Sequence, residues 1–191
     1  MSFSEIPVPT VIWRNQAMPG HESCRLLRVD DGWRIDGAAV FVYEGKPCRL
    51  AYLVDCDADW LTRAAVVTGW VGDESIDVVA ARDDEFVWNV NGVVVPEVDG
   101  CTDIDLNFSP ATNTLPIRRL VPEIDDTVAV RAAWLRFPSF KLEDLEQSYT
   151  RLDQHRYRYE SAGGSFVAEL NVDDDGLVID YGDIWTRETG G

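Results

Sequence analysis

Asp103-Ile104-Asp105-Leu106-Asn107-Phe108-Ser109-Pro110-Ala111-Thr112-Asn113-Thr114-Leu115-Pro116-Ile117-Arg118-Arg119-Leu120 is the one stretch of this chain that does not read as alternating strand. Its second half carries helix-start chemistry. Asn113 or Thr114 can cap an N-terminus, and Pro116 has no N–H to lose in a first turn. Ile117, Leu120 and Val121 then fall at i, i+3 and i+4 as one apolar stripe before Pro122 stops the run. The spacing predicts a short helix over 114–121, enclosed by sheet.

Outward from that stretch, almost everything alternates. Residues 11–14 make a short strand, and 24–29 and 33–43 read as a hairpin around Asp30-Asp31-Gly32, where Asp-Gly would supply a positive φ. Residues 49–54, 76–82 and 86–90 follow as strands, whereas 61–71 reads equally as a doubly buried strand or a helix. Asn91-Gly92 is the strongest hairpin signal. After the central stretch, 127–137, 145–152, 156–161, 166–172 and 177–181 form a meander, with Trp185 on a last short strand. About a dozen strands with turns every roughly 8–12 residues predict an all-β antiparallel architecture. A flat sheet of that size would leave long edges and an unburied face, so the expectation is one many-stranded sheet curled around the short helix.

At 191 residues and 46% hydrophobic side chains, one domain spanning 1–191 is expected. Seventeen basic against thirty-four acidic residues give a net charge of −17, which would repel nucleic acid and anionic membranes. Residues 1–10 show no charged-then-apolar leader, and no apolar run approaches the roughly 20 residues of a spanning helix, so a cytoplasmic address without membrane insertion is expected. Cys24, Cys48, Cys56 and Cys101 are widely spaced and are expected as free, buried thiols.

Motifs with catalytic or metal chemistry fail on inspection, and neither a cofactor nor an enzymatic activity is expected. His21-Glu22 opens an H-E-x-x-H, but Arg25 takes the second histidine's place, leaving His21 as a loop residue. Asn171, Asp173, Asp175 and Gly176 echo a calcium loop, yet Gly182 stands where its bidentate Glu belongs. Val167 replaces the last Gly of a nucleophile elbow after Gly163-Gly164-Ser165. Arg118 and Arg119 close the helix, where cations suit its dipole. A guanidinium inside a sheet needs a partner, so an internal bridge to Asp103 or Asp105 ranks ahead of an anionic ligand. Trp88, Trp134 and Tyr149 lie on strands, where core packing ranks ahead of stacking on a sugar or lipid.

The run from Asp103 to Leu120 resembles the bacterial putative glycolipid-binding family. Trp13-Arg14, His21-Glu22, Tyr52-Leu53-Val54-Asp55, Ala132-Ala133-Trp134-Leu135-Arg136-Phe137-Pro138, Arg156-Tyr157-Arg158-Tyr159-Glu160-Ser161 and Gly176-Leu177-Val178 support the resemblance on either side. Asn107 departs from an expected Gly and would adopt its left-handed backbone. The resemblance implies a spiral β-roll around a single helix, commonly a homodimer, named for its likeness in shape to carriers that hold acyl chains. The resulting expectation is a non-enzymatic lipid- or glycolipid-binding protein holding an amphiphile between the curved sheet and the central helix, with Arg118, Arg119 and Asn113 orienting the head group and Trp88, Trp134 and Tyr149 beside it. The alternatives are an enzyme using a carboxylate pair on a small or sugar-containing substrate, and a ligand-free structural dimer.

Overall fold

The computed structural model describes residues 9–189; residues 1–8, which carry most of the leader reading, lie outside it. A first run of hairpins comprises β1 (Thr10–Asn15), β2 (Gly20–Val29), β3 (Gly32–Tyr43), β4 (Lys46–Asp57), β5 (Thr62–Val71), β6 (Glu74–Arg82), β7 (Trp88–Val90) and β8 (Val93–Val94). The second half contains β9 (Asp103–Leu106), the helix α1 (Thr114–Leu120), β10 (Thr127–Arg136), β11 (Lys141–Arg151), β12 (Arg156–Ser161), β13 (Phe166–Val172), β14 (Val178–Tyr181) and β15 (Trp185–Thr189). Pairing of β1 with β15 joins both runs into one fifteen-stranded sheet, with β8 and β9 at its two ends.

The sheet is curled and open. Its β9 end tucks inside: Ile104, Leu106, Ala133 and Leu135 on one face of β9 and β10, and Asp103 and Ala132 on the other, are all at most 1% exposed. The N–H of Thr62 on β5 donates to Thr102 O at 3.1 Å, and the Ile104 N–H donates to Thr62 Oγ1 at 3.1 Å, which pins this end against the inner wall. The result is a spiral roll in which a single sheet serves as both layers of a sandwich.

Two sequence expectations change here. Asp103–Leu106, read as leaving the strand pattern, is a strand, and it pairs with β10 in parallel. Four residues buried almost throughout show no alternation by which to recognise it. A parallel pair needs a crossover, and the segment between β9 and β10 containing α1 is that crossover. The helix therefore sits inside as the link of a βαβ unit in an otherwise antiparallel meander.

The helix itself begins as expected at Thr114, but neither predicted cap forms. A 3-10 turn at Ala111–Asn113 runs straight into it, Asn113 makes no capping bond, and the Thr114 hydroxyl donates to Gly176 O at 3.0 Å. Thr114, Leu115, Pro116 and Ile117 are buried, whereas Val121 is 57% exposed, because the helix stops at Leu120 and Val121 turns into a left-handed conformation before Pro122. The predicted 117/120/121 stripe is thus only partly the buried face.

Residues 61–71 are the strand β5, not a helix. Asn91 and Gly92 take positive φ of 49° and 81°, as a tight hairpin requires. Gly32 does not; it is glycine because a Cβ there would lie 2.0 Å from Cys56 O across the β3–β4 ladder. Asn107 likewise has no left-handed backbone, and its Oδ1 accepts the Phe137 N–H at 3.1 Å.

Two substitutions test this architecture. Leu115→Ala, which empties a fully buried side chain from α1, should cost ~2–5 kcal/mol in urea unfolding. Gly69→Ala combines a φ of +147° with a Cβ 1.9 Å from Arg49 O on the neighbouring strand, so it should lower stability by at least ~2 kcal/mol by the same measurement.

Candidate functional site

Apolar side chains dominate the inner wall of the roll, and a buried carboxyl stands among them. Glu22 on β2 is 1% exposed, flanked by Trp13 on β1 and Ala39 on β3. Its Oε1 accepts hydrogen bonds from the Tyr52 hydroxyl and, at 2.6 Å, from the Ser109 hydroxyl; its Oε2 has no partner. Gly37 makes this geometry feasible, since a Cβ there would lie 2.3 Å from the Tyr52 ring that crosses it toward Glu22. Burial pushes the Glu22 carboxyl up from 4.5 to about 8, against the two hydroxyl donors. Through Ser109, this carboxyl ties the segment after β9 to the wall opposite.

On the other side of Ser109 opens a cleft of about 390 Å³. Asp105, Asn107, Ser109 and Asn113 give it one polar wall, and Trp134, Tyr159, Phe166, Tyr181 and Trp185 give it an aromatic one. Parallel register places Trp134 directly beside Asp105. Tyr159 meets Tyr149, Phe166 and Tyr181 edge to face at 5.2–5.9 Å, so the aromatic wall is braced from behind. The Asp105 Oδ2 accepts a 2.6 Å hydrogen bond from Gln147 Nε2, and burial pushes this carboxyl up to about 6. A carboxylate and amide oxygens in one cleft with flat aromatic faces can accept hydroxyl hydrogen bonds while the rings cover apolar C–H faces.

The expected site residues separate into distinct places. Asn113 and Trp134 line this cleft. Tyr149 is buried behind it and donates its hydroxyl to Asn113 Oδ1 at 3.0 Å. Arg119 points back to β9, where it pairs with the Asp103 carboxylate and donates to Thr102 Oγ1 at 3.0 Å. Arg118 lies at the opposite end of α1, in a second cavity of about 380 Å³. Trp88 is wholly buried on β7, with its indole N–H donating to Cys101 O at 2.9 Å, and lines neither space.

Sequence reasoning named none of Glu22, Asp105, Tyr159 and Tyr181 as a site residue, and weighed Asp105 only as an arginine's partner. The acids were lost among thirty-four, and only the alternation of β2, which turns Glu22 inward between Gly20 and Cys24, could have singled one out. His21 is on β2, not in a loop, with Nε2 3.0 Å from Glu188 Oε2. All four cysteines are free and buried. Among the described residues, no group of three or more His, Cys, Asp or Glu is placed to hold a metal ion, and no helix is long and apolar enough to cross a membrane.

The raised carboxyls fix a pH dependence. A carboxyl whose folded pKa exceeds its unfolded value stabilises the fold fully below the unfolded pKa and loses that contribution as pH rises to the folded one. Stability should therefore fall from pH 4.5 toward about 8 through Glu22, with a shorter loss from 3.8 to about 6 through Asp105. Glu22→Gln should flatten the stability profile between about pH 6 and 8 and leave, at lower pH, only the shorter loss through Asp105, read by urea titrations across pH.

A model of the family described as putative glycolipid-binding matches residues 10–187. The fold is similar to the crystal structure of a DUF1089 family protein from Pseudomonas aeruginosa, with a TM-score of 0.78, 32% sequence identity and 98% of each chain covered. No curated protein matches the chain. The family match runs from β1 to β15 and takes in the whole roll, the crossover helix and both walls of the cleft: the chain belongs to the putative glycolipid-binding family.

Proposed function

We propose that the protein binds an amphiphile with a sugar head group, without transforming it, and that the head group enters the cleft beside Asp105. The observation that carries this reading is the pairing of Asp105 with Trp134 in the cleft that Asn113 also lines, an acceptor and a flat apolar face set side by side. The family description points the same way. At α1 the interior is occupied by Leu115, Tyr149, Leu170 and Leu177, each no more than 2% exposed, so the tail runs outward past Phe166 and Ile184 instead of lying between helix and sheet.

One observation favours a hydrolytic alternative: two carboxyls with raised pKa, Asp105 in the cleft wall and Glu22 one hydrogen bond behind Ser109. Glu22 does not line the cleft, which leaves a bound sugar one acid within reach and favours binding.

Calorimetric titration with octyl glucoside below its micellar concentration tests the proposal, with octanol as the sugar-free control. The glucoside should bind in preference to octanol, and Asp105→Asn and Trp134→Ala should each weaken it about tenfold. Binding should strengthen as pH rises through about 6 and Asp105 ionises. Equal binding of octanol, or indifference to both substitutions, would overturn it. Release of free glucose would instead establish the hydrolytic reading.

A further inference from the structure

Most arginines of this acidic chain are neutralised locally. Among the described residues, eleven of the fifteen arginines have a carboxylate oxygen within 4.0 Å. Of the other four, Arg28 lies over the Trp33 ring, and Arg49 sits opposite Trp70 on the β4–β5 ladder. The remaining two, Arg118 and Arg151, line the same space, the cavity of about 380 Å³ at the C-terminal end of α1.

Both guanidinium groups are held in place by neutral partners. Arg151 donates from Nε to Asp153 O at 3.0 Å, from Nη1 to Pro122 O at 3.0 Å and from Nη2 to Gln154 O at 3.4 Å. Arg118 donates from Nη1 to Asp174 O at 3.0 Å and lies 5.2 Å over the Trp60 ring. Carbonyls and a ring face orient a guanidinium without cancelling its charge. The two acids on the rim do not compensate them. Asp173 is committed to the N–H groups of Asp175 and Leu177 and to Arg187, while the Asp174 side chain is 91% exposed beside His155. Ile117, Val121, Tyr157 and Val172 supply apolar surface next to the pair.

We propose that this cavity is a second binding site, for a phosphate group borne on an apolar body. Two fixed forks with unspent donors match phosphate oxygens, and the adjoining aliphatic and tyrosyl surface takes the carbon skeleton. The arginine pair lies apart from the sugar cleft and shares no lining residue with it. Inorganic phosphate and a phospholipid head group share this chemistry, and the apolar wall favours the latter.

Isothermal titration at low salt, using inorganic phosphate, dihexanoyl phosphatidic acid below its micellar concentration and uncharged dihexanoylglycerol, tests the site. The phosphatidic acid should bind at least tenfold tighter than inorganic phosphate and compete with it, and dihexanoylglycerol should not bind there. Phosphate binding as tightly as the lipid would keep the oxyanion site and assign it to the free ion. Arg118→Gln and Arg151→Gln should each weaken binding by tenfold or more, with folding checked by circular dichroism. Arg151 also braces two loops, so Arg118→Gln, which gives up only one backbone bond and a ring contact, decides alone if the other variant unfolds. No heat from either phosphate probe up to about 10 mM, well above a millimolar Kd, or binding unchanged in Arg118→Gln, would overturn the proposal.

Discussion

A single fifteen-stranded sheet, the one sheet among the described residues, has to bury its inner face with its own chain, and the segment from Asp103 to Leu120 meets that requirement. Three polar ties hold this segment to the surrounding wall. Ser109 donates to Glu22 on β2, Thr114 donates to Gly176 O before β14, and the Ile104 N–H donates to Thr62 Oγ1 on β5. Leu115 and Ile117 fill the space between those ties. Without the segment, the concave wall from Trp13 to Trp185 would face water, and its apolar area is the largest favourable contribution the fold has.

The ties come at an electrostatic cost that shapes the interior. Glu22, Asp103 and Asp105 are all desolvated, and burial raises the pKa of each. Their remedies differ. Asp103 has a guanidinium, Asp105 an amide donor, and Glu22 two hydroxyls that leave one oxygen unpartnered. A carboxyl held by neutral donors in a dry wall is most stable protonated. Near neutral pH, then, Glu22 serves as a neutral hydrogen-bonding spacer that fixes register between β2, β4 and the crossover, and the Tyr52 ring can reach it only because position 37 lacks a Cβ.

Much of this was legible in the sequence. Alternation and Asn91-Gly92 marked the long hairpins, and one helix among many strands implied a wrapped sheet. The four-residue parallel strand β9 was not legible, because burial on both faces erases the period-2 pattern that identifies a strand. Nor could local spacing separate Arg118 from Arg119. Adjacent helical residues point about 100° apart, so one reaches back to β9 and the other faces the β13–β14 loop, and which does which depends on the rotation of α1 set by Leu115 and Ile117. The cleft was half visible: Asn113 and Trp134 could be named, whereas Asp105 carried no signal apart from its place beside them. Its partner tyrosines required the strand order to be known, since β12 and β14 meet there only through β13.

Some residues that line the cleft also hold the fold, and others do not. Ser109 and Asn113 face the cleft but also anchor the crossover, Ser109 through Glu22 and the Ala111 N–H, Asn113 through Pro110 O and Tyr149. Losing either leaves buried groups unpaired, so a defect there would be a folding defect first. Asp105 and Trp134 sit at the inner end of the sheet, where β9 has no further strand to pair with, and each contributes to the cleft through its side chain alone. The length of α1 accounts for a cleft at one of its ends and a cavity at the other: the helix is only seven residues long, and a plug of that length cannot fill a wall that extends past both its ends.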